Sequence, residues 1–208
     1  MDKRVTRNAR VFARAVGHAE LPDGDAVVAS FESRLASMYA SDFFARHNVY
    51  PTINVEHVYA VIAMCLELRE HRLTDEQIFD ALNCAFAGRQ RFFGVILGAI
   101  NLLPNSYAIA KRWNISDHEK RVADGSIDYD LFEVRDHSIE YRISGCRYVD
   151  MFKAWGIRPL CKVFCETDTR SYASLTRRVG FVRHSDLSDG PSCHDEIFEK
   201  GSRQEAAS

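Results

Sequence analysis

The sequence has no excess of charge of either sign and no closely spaced pair of cysteines. Its 27 Lys and Arg residues are balanced by 29 Asp and Glu residues, which gives a net charge of −2. A domain that binds nucleic acid is normally strongly basic, so we expect no nucleic-acid partner. The six cysteines include no C-x-x-C pair, which structural zinc sites usually contain. We therefore expect no metal cofactor.

The sequence also lacks a long uninterrupted apolar run. Residues 92–110 come closest, but Gly94, Gly98, Asn101 and Pro104 interrupt them. This pattern is a poor membrane span and predicts a buried helix that breaks near Pro104. The charged residues 1–4 are not followed by an apolar segment, so we expect no secretory signal. The expected location is the cytoplasm, where cysteines are reduced.

The spacing of apolar residues changes near residue 128 and predicts an α+β fold. Before that point, intervals of three and four predict helices at about 2–17, 25–47, 54–71, 75–88 and 89–112, with a capping box formed by Thr74 and Gln77. After it, we expect a hairpin over 132–143, helices over 148–155 and 158–177, and strands at 179–183 and 193–198. The prediction is a helical part (1–125), a ββααββ unit with a small antiparallel sheet (126–200) and a polar tail (201–208), with the first two parts packed as one compact domain.

The last third of the chain contains residues that can activate water or attack an electrophilic carbon. Cys161, Cys165 and Asp168 are spaced at i, i+4 and i+7, so they share one face of a helix. A cysteine thiolate is a strong nucleophile, and an aspartate one turn away can act as a general base. The same spacing also fits an amphipathic helix that simply buries two small cysteines in the core.

Other candidate residues lie at the ends of predicted strands, where functional sites are commonly built. Cys146 follows one strand, and Cys193 begins another. Arg183 could bind a substrate carboxylate through two parallel hydrogen bonds, or it could be a solvent-exposed strand charge. His194 follows Cys193 directly, and adjacent strand residues point to opposite faces, so both would enter one pocket only at a bulge. Zinc is an alternative to a thiol site, with cysteines 146, 161, 165 and 193 as ligands, joined or not by His194.

Four segments carry a resemblance to a known family. They are a cysteine followed by a helix that ends in glycine (146–156), C-x-x-D (165–168), an Arg-containing strand (181–183) and a turn rich in Gly and Asp before a final cysteine (189–193). From about residue 55 to 199 the chain resembles the L-2-amino-thiazoline-4-carboxylic acid hydrolase family. It departs from the family where Cys146-Arg147 replaces a frequent Cys-Pro, where Asp189-Gly190 replaces Gly-Asp, and where His194-Asp195 replaces a frequent Asp-Phe.

The resemblance implies a hydrolase that opens a small heterocyclic or strained ring of an amino-acid-like substrate at a C–N bond, in a natural-product or cysteine-related pathway. The attacking group would be the Cys165 thiolate or a water deprotonated by Asp168, without a cofactor. The implied catalytic residues are Cys165, Asp168, Cys193 and Cys146. The implied substrate-binding residues are Arg183, Cys161 and His194.

Two other functions fit the same residues. One is a metal-binding or small-ligand sensor without catalysis, and the other is a zinc-dependent hydrolase with cysteine ligands. The apolar helix faces of the first half could also support a homodimer.

Overall fold

A computed structural model describes residues 2–201 of the chain. These residues form an α+β fold, as the sequence predicts. The helices are α1 Lys3–His18, α2 Gly24–Tyr39, α3 Asp42–His47, α4 Val55–Glu70, α5 Asp75–Ile100, α6 Ser106–Asp124, α7 Arg147–Ala154 and α8 Lys162–Tyr172, with a 3-10 turn at Arg158–Cys161. The strands are β1 Ile127–Val134, β2 Ser138–Cys146, β3 Val179–Ser185 and β4 Cys193–Glu199. The predicted polar tail lies outside the described residues, except for Gly201.

The chain divides into two compact units. The first comprises Met1–Gly88 and Tyr148–Val163, and the second comprises Arg89–Arg147 and Phe164–Ser208. The chain therefore passes between the units three times. Neither unit coincides with the sequence-based division at residue 125, because helices α5 and α6 contribute to the same unit as the sheet.

The first unit is a bundle of helices around α4. Apolar residues occupy nearly every face of α4, so most of the helix is buried and α1 and α2 pack against it. Phe12 of α1 and Phe31 of α2 place their rings 4.4 Å apart in this core. Glu67 is only 1% exposed, and Arg34 neutralises it through a 2.8 Å ion pair. An unpaired buried carboxylate would be costly, so Arg34 allows α4 to carry a charge inside the bundle.

The second unit contains a four-stranded antiparallel sheet in the order β1-β2-β4-β3. On the central strand β4, Asp195 lies opposite Tyr141 of β2 on one side and opposite Arg183 of β3 on the other. Leu97 of α5 belongs to the apolar cluster of this unit, together with Val179 and Ile197 of the sheet. The central position of β4 thus brings three polar side chains from three strands into one row.

Local signals in the sequence predict several element boundaries correctly. The capping box is present, since Thr74 N donates to Gln77 Oε1 (2.9 Å) and Gln77 N donates to Thr74 Oγ1 (3.3 Å). Gly156 follows α7 with a φ of 69°, a left-handed conformation that suits glycine after a helix. The predicted break near Pro104 is also confirmed, because α5 ends at Ile100 and α6 begins at Ser106.

Three predicted helices differ from the structure. The predicted boundary at Gly88 is wrong, because α5 continues through it to Ile100. The predicted helix 25–47 is interrupted, and Ser41 caps the separate helix α3 by accepting from Phe44 N (3.1 Å). The predicted helix 158–177 begins as a 3-10 turn and ends at Tyr172.

The predicted burial of residues 92–110 holds for only part of this segment, including Leu97, Ser106 and Tyr107. Phe92 is 64% exposed and Val95 is 67% exposed, whereas Gly94 and Leu97 face the interior. In residues 2–201, no helix has the combination of length and apolarity needed to span a membrane.

Candidate functional site

Helix α8 carries one face of the candidate site. Cys165, Asp168 and Tyr172 are spaced at i, i+3 and i+7, so the helical period places them in one row. Cys165 and Tyr172 are half-buried, and Asp168 is accessible to solvent. Glu166 and Arg170 form a separate i, i+4 ion pair at 3.7 Å. The face that carries Asp168 is thus distinct from the ion-paired face.

An ion pair between two strands forms the centre of the site. Arg183 Nε donates to Asp195 Oδ1 at 2.7 Å, and Arg183 Nη2 donates to Asp195 Oδ2 at 2.7 Å. The side chain of Asp195 is 1% exposed and that of Arg183 is 14% exposed. Arg183 Nη1 also donates to the backbone carbonyl of Cys165 at 2.8 Å. The guanidinium therefore joins β3, β4 and α8, and Asp195 occupies its bidentate side.

Asp168 has a strongly raised pKa. Protein atoms surround this carboxyl densely, and the resulting desolvation raises its pKa from 3.8 to about 6. The positive charge of Arg183 partly opposes this rise, and the negative charge of Asp195 adds to it. The side chain is nevertheless accessible to solvent. The carboxyl is thus desolvated by its many neighbours and still within reach of a small molecule from solvent.

Two tyrosines line the same region. Burial raises the pKa of Tyr141 and of Tyr172, and the negative charge of Asp168 adds to the rise in both. Both phenols are therefore neutral at physiological pH and can donate a hydrogen bond. The ring of Tyr172 stacks on Phe181 with the centroids 4.5 Å apart, which fixes its orientation.

Two cysteines of the second unit, Cys165 and Cys193, are not stabilised as thiolates. Burial raises the pKa of the Cys165 thiol and raises that of Cys193 to about 12, with Arg183 opposing both shifts. Cys146 and Cys193 each interact electrostatically with Cys165, so the structure brings these three sulfurs into one neighbourhood. All six cysteines lie in the described part of the chain, and none forms a disulfide there.

Two sequence-predicted residues lie elsewhere. Cys161 is buried in the 3-10 turn and belongs to the first compact unit, whereas the other predicted site residues belong to the second. His194 points to the face of the sheet opposite Cys193 and Asp195, as strand alternation predicts. There its Nε2 lies 3.0 Å from Glu140 Oε1, and its ring centroid lies 4.7 Å from that of His184.

A family model covers the segment that contains all of these residues. The model for L-2-amino-thiazoline-4-carboxylic acid hydrolase matches residues 54–197, which is more than half of the chain. The chain belongs to this family. No curated protein and no solved structure was found to match it. The family is named for the hydrolysis of a thiazoline carboxylic acid, and Asp168, Arg183 and Asp195 all lie within the matched segment.

The structure places further residues near the candidate site, and sequence reasoning assigned them no role. These are Tyr141, Tyr172 and the α6 pair Asp117 and Arg121, whose side chains hydrogen-bond at 2.5 Å. Asp195 is the last residue of the Cys193-His194-Asp195 cluster, and the sequence alone predicts no role for it. Both members of the α6 pair act electrostatically on Asp168. One signal was present for Asp195, because it lies two residues after Cys193 on a strand and therefore shares its face. The α6 pair has no local signal in the sequence.

The site offers limited means of holding a metal. Among residues 2–201, no group of three or more His, Cys, Asp or Glu side chains is arranged to bind a metal ion. The polar groups that surround Asp168 are hydrogen-bond donors and charged side chains rather than a set of metal ligands. Such groups can orient a small polar molecule and move a proton.

Proposed function

We propose that this family member hydrolyses the ring of a small amino acid of the 2-amino-thiazoline type, with Asp168 as the acid–base group. One observation carries the proposal: Asp168 is a solvent-accessible carboxyl, and desolvation by the surrounding protein raises its pKa to about 6. Such a group is deprotonated at neutral pH, yet it is basic enough to accept a proton from water. An ordinary aspartate, with a pKa near 3.8, would be a weaker base.

The charges around Asp168 suit the substrate that the family name gives. The C2 atom of a 2-amino-thiazoline is an amidine-like carbon bonded to nitrogen and sulfur, and protonation of the ring nitrogen makes it more electrophilic. The carboxylate of Asp168 can accept hydrogen bonds from that cation. Asp195 and Asp117 add negative charge nearby, although Arg183 and Arg121 each neutralise one of them.

We propose that water, rather than the Cys165 thiolate, is the nucleophile. Burial raises the pKa of the Cys165 thiol, so only a small fraction is thiolate at neutral pH. A water held by Asp168 needs no such ionisation. We therefore assign Cys165, Cys193 and Cys146 to the lining of the candidate site. Replacement of Cys165 by Ala should then reduce turnover less than tenfold, whereas a thiolate nucleophile would make that loss nearly complete.

The reaction can be written in two steps. The oxygen of water bonds to C2 and its proton passes to Asp168. The ring C–N bond then breaks as Asp168 gives its proton to the departing ring nitrogen, and the added hydroxyl loses its remaining proton to solvent as the C=O bond forms. One water is consumed, and the product is an S-carbamoyl amino acid with a free amine. Cleavage of the ring C–S bond would instead give an N-carbamoyl product with a free thiol, so a thiol reagent applied to the products distinguishes the two bonds.

Arg183 has a positioning role in this proposal. Its bidentate side is occupied by Asp195, so it is poorly placed to bind a substrate carboxylate in the same way. Its third hydrogen bond holds the carbonyl of Cys165, one turn before Asp168. We propose that Arg183 fixes α8 relative to the sheet and limits the rise in the pKa of Asp168.

The test compares Asp168→Asn with Glu166→Gln, a change of a carboxylate on the ion-paired face of the same helix. With L-2-amino-thiazoline-4-carboxylate as substrate, we expect Asp168→Asn to lower kcat by about 10²- to 10⁴-fold and Glu166→Gln to lower it less than about twofold. Because the base must be deprotonated, wild-type kcat/KM should fall tenfold per pH unit below a pH of about 6 and be flat above it. The residual activity of Asp168→Asn should lack this acidic limb.

Other results would contradict the proposal. A loss below tenfold in Asp168→Asn would remove this residue from the mechanism, and equal losses in both variants would indicate a structural effect. Binding without turnover would favour the sensor alternative. Loss of activity in a chelator, with stoichiometric zinc in the purified protein, would favour the zinc-dependent hydrolase.

A further inference from the structure

The second half of α5 has its large apolar side chains on the outside. Its inward face combines the small or polar residues Gln90, Gly94, Gly98 and Asn101 with the buried Leu97. The two glycines lie close to Ser174, where an added Cβ would be 3.8–3.9 Å from the serine side chain. An ordinary surface helix turns its large apolar side chains to the core, whereas here most of them point outward.

The outward apolar residues form a stripe, which we define as Phe92, Val95, Ile96, Leu102, Leu103 and Trp113. Within α5 the spacing of three and four residues aligns its members along one side of the helix. Trp113 of α6 adjoins the end of this side, since it lines one small cavity together with Ile100, which follows Ile96 by one helical turn. Residues 92–110 contain no charged side chain at all. The apolar stripe is therefore continuous and uncharged.

The size of the apolar stripe suits a protein interface. From their exposed fractions, its members expose on the order of 600–700 Å². Monomeric proteins rarely expose an apolar patch larger than about 300–600 Å². Each partner of a standard protein–protein interface buries about 800 Å², to which flanking residues would add the remainder.

We infer that a second copy of this chain covers the apolar stripe, with the two α5 helices antiparallel about a twofold axis. A twofold interface places the same surface against itself, which an uncharged surface permits without repulsion. Antiparallel pairing also sets the exposed Arg91 at the start of one stripe near the carboxyl end of the partner's α5, where a positive charge is favourable.

A lipid surface fits the apolar stripe less well. Helices that lie in a membrane interface carry lysines and arginines on the face opposite their apolar side. The opposite face of α5 is buried and contains an amide, two glycines and a leucine. It therefore presents no basic face to lipid headgroups.

The test measures the mass of the full chain in reducing buffer, by light scattering after gel filtration. We expect wild type at twice the 23.7 kDa of one chain. Val95→Glu, within the stripe, should raise the dimer Kd at least about a hundredfold and give a monomer. Val122→Glu changes the same residue type outside the stripe, where Val122 is 53% exposed, and should leave the dimer intact. Circular dichroism checks that both variants are folded, and Leu103→Lys replaces Val95→Glu if that variant is not.

A cross-linking experiment tests the antiparallel arrangement. In a Cys84→Ser background, which removes the exposed cysteine, Ile96→Cys lies near the middle of the stripe and should form a disulfide-linked dimer on mild oxidation. Phe92→Cys lies near one end and should not. A wild-type monomer, a dimer unaffected by Val95→Glu, or cross-linking through Phe92→Cys alone would overturn the inference. Monomeric protein that sediments with anionic vesicles through the stripe would also overturn it, in favour of lipid.

Discussion

At the scale of the residue, Asp168 combines a benefit for chemistry with a cost for folding. The desolvation that makes it a useful base also makes its charged form unfavourable in the folded protein. Its pKa is higher in the folded state, at about 6, than the ordinary 3.8. Protonated Asp168 therefore favours the folded state. This contribution to the free energy of unfolding is fully present below pH 3.8 and is lost as the pH rises through about 6.

The stability of Asp168→Asn should accordingly depend on pH. The amide cannot ionise, so we expect the variant to be more stable than wild type at pH 8 and of similar stability at pH 3. Because the carboxyl is accessible and partly screened by solvent, the gain at pH 8 should be at most about 1 kcal/mol. Urea unfolding at the two pH values measures this difference. A variant that is less stable than wild type at pH 8 would show that the ionised carboxylate is stabilised by the fold.

Asp195 should matter far more to stability. Its removal in Asp195→Ala leaves the guanidinium of Arg183 buried without its bidentate partner, which typically costs about 3–5 kcal/mol. The matched control is Glu133→Ala, which removes an exposed carboxylate from Arg135 and should cost less than about 1 kcal/mol. Urea unfolding of both variants tests this expectation, and similar losses would mean that the Arg183–Asp195 pair is no better than a surface ion pair.

At the scale of the element, helix α5 shows why a local pattern can mislead. Gly88 resembles a helix end, because glycine commonly follows the last turn. Here the helix continues, and Ala85 before Gly88 and Leu97 after it are both buried. The apolar run 92–110 likewise resembles a core helix, but period and composition do not say which side faces the protein. Both errors concern tertiary contacts, which neighbouring residues do not encode.

Glycine substitutions distinguish a continuous α5 from a broken one. Gly88 is exposed in the helix, and no atom lies within 4 Å of an added Cβ, so Gly88→Ala should stabilise the protein by about 0.5–1 kcal/mol. If a helix ended there with a left-handed glycine, alanine would instead destabilise it. In contrast, a Cβ at Gly180 would overlap the ring of Phe198, so Gly180→Ala should cost about 1–3 kcal/mol. Thermal unfolding measures both changes.

The candidate site was only partly predictable for a related reason. The spacing of Cys165 and Asp168 on a helix, and the separation of Cys193 from His194 by strand alternation, follow from local periods. The opposition of Tyr141 and Asp195 depends on the pairing of strands that are about fifty residues apart, and the α6 pair depends on how a helix packs. The environment of Cys165 was the least predictable feature, because its thiol pKa is set by burial rather than by sequence.

At the scale of the whole molecule, the order of the strands has a consequence for synthesis. β4 is the last strand in the chain, yet it lies between β2 and β3 and pairs with both. β3 and β4 can pair early as a hairpin, whereas β2 and β4 must close a loop of roughly fifty residues first. A nascent chain that stops short of β4 would already contain every residue of the helical bundle. It would lack Asp195, the carboxylate partner of Arg183, so the candidate site is complete only when the last strand is in place.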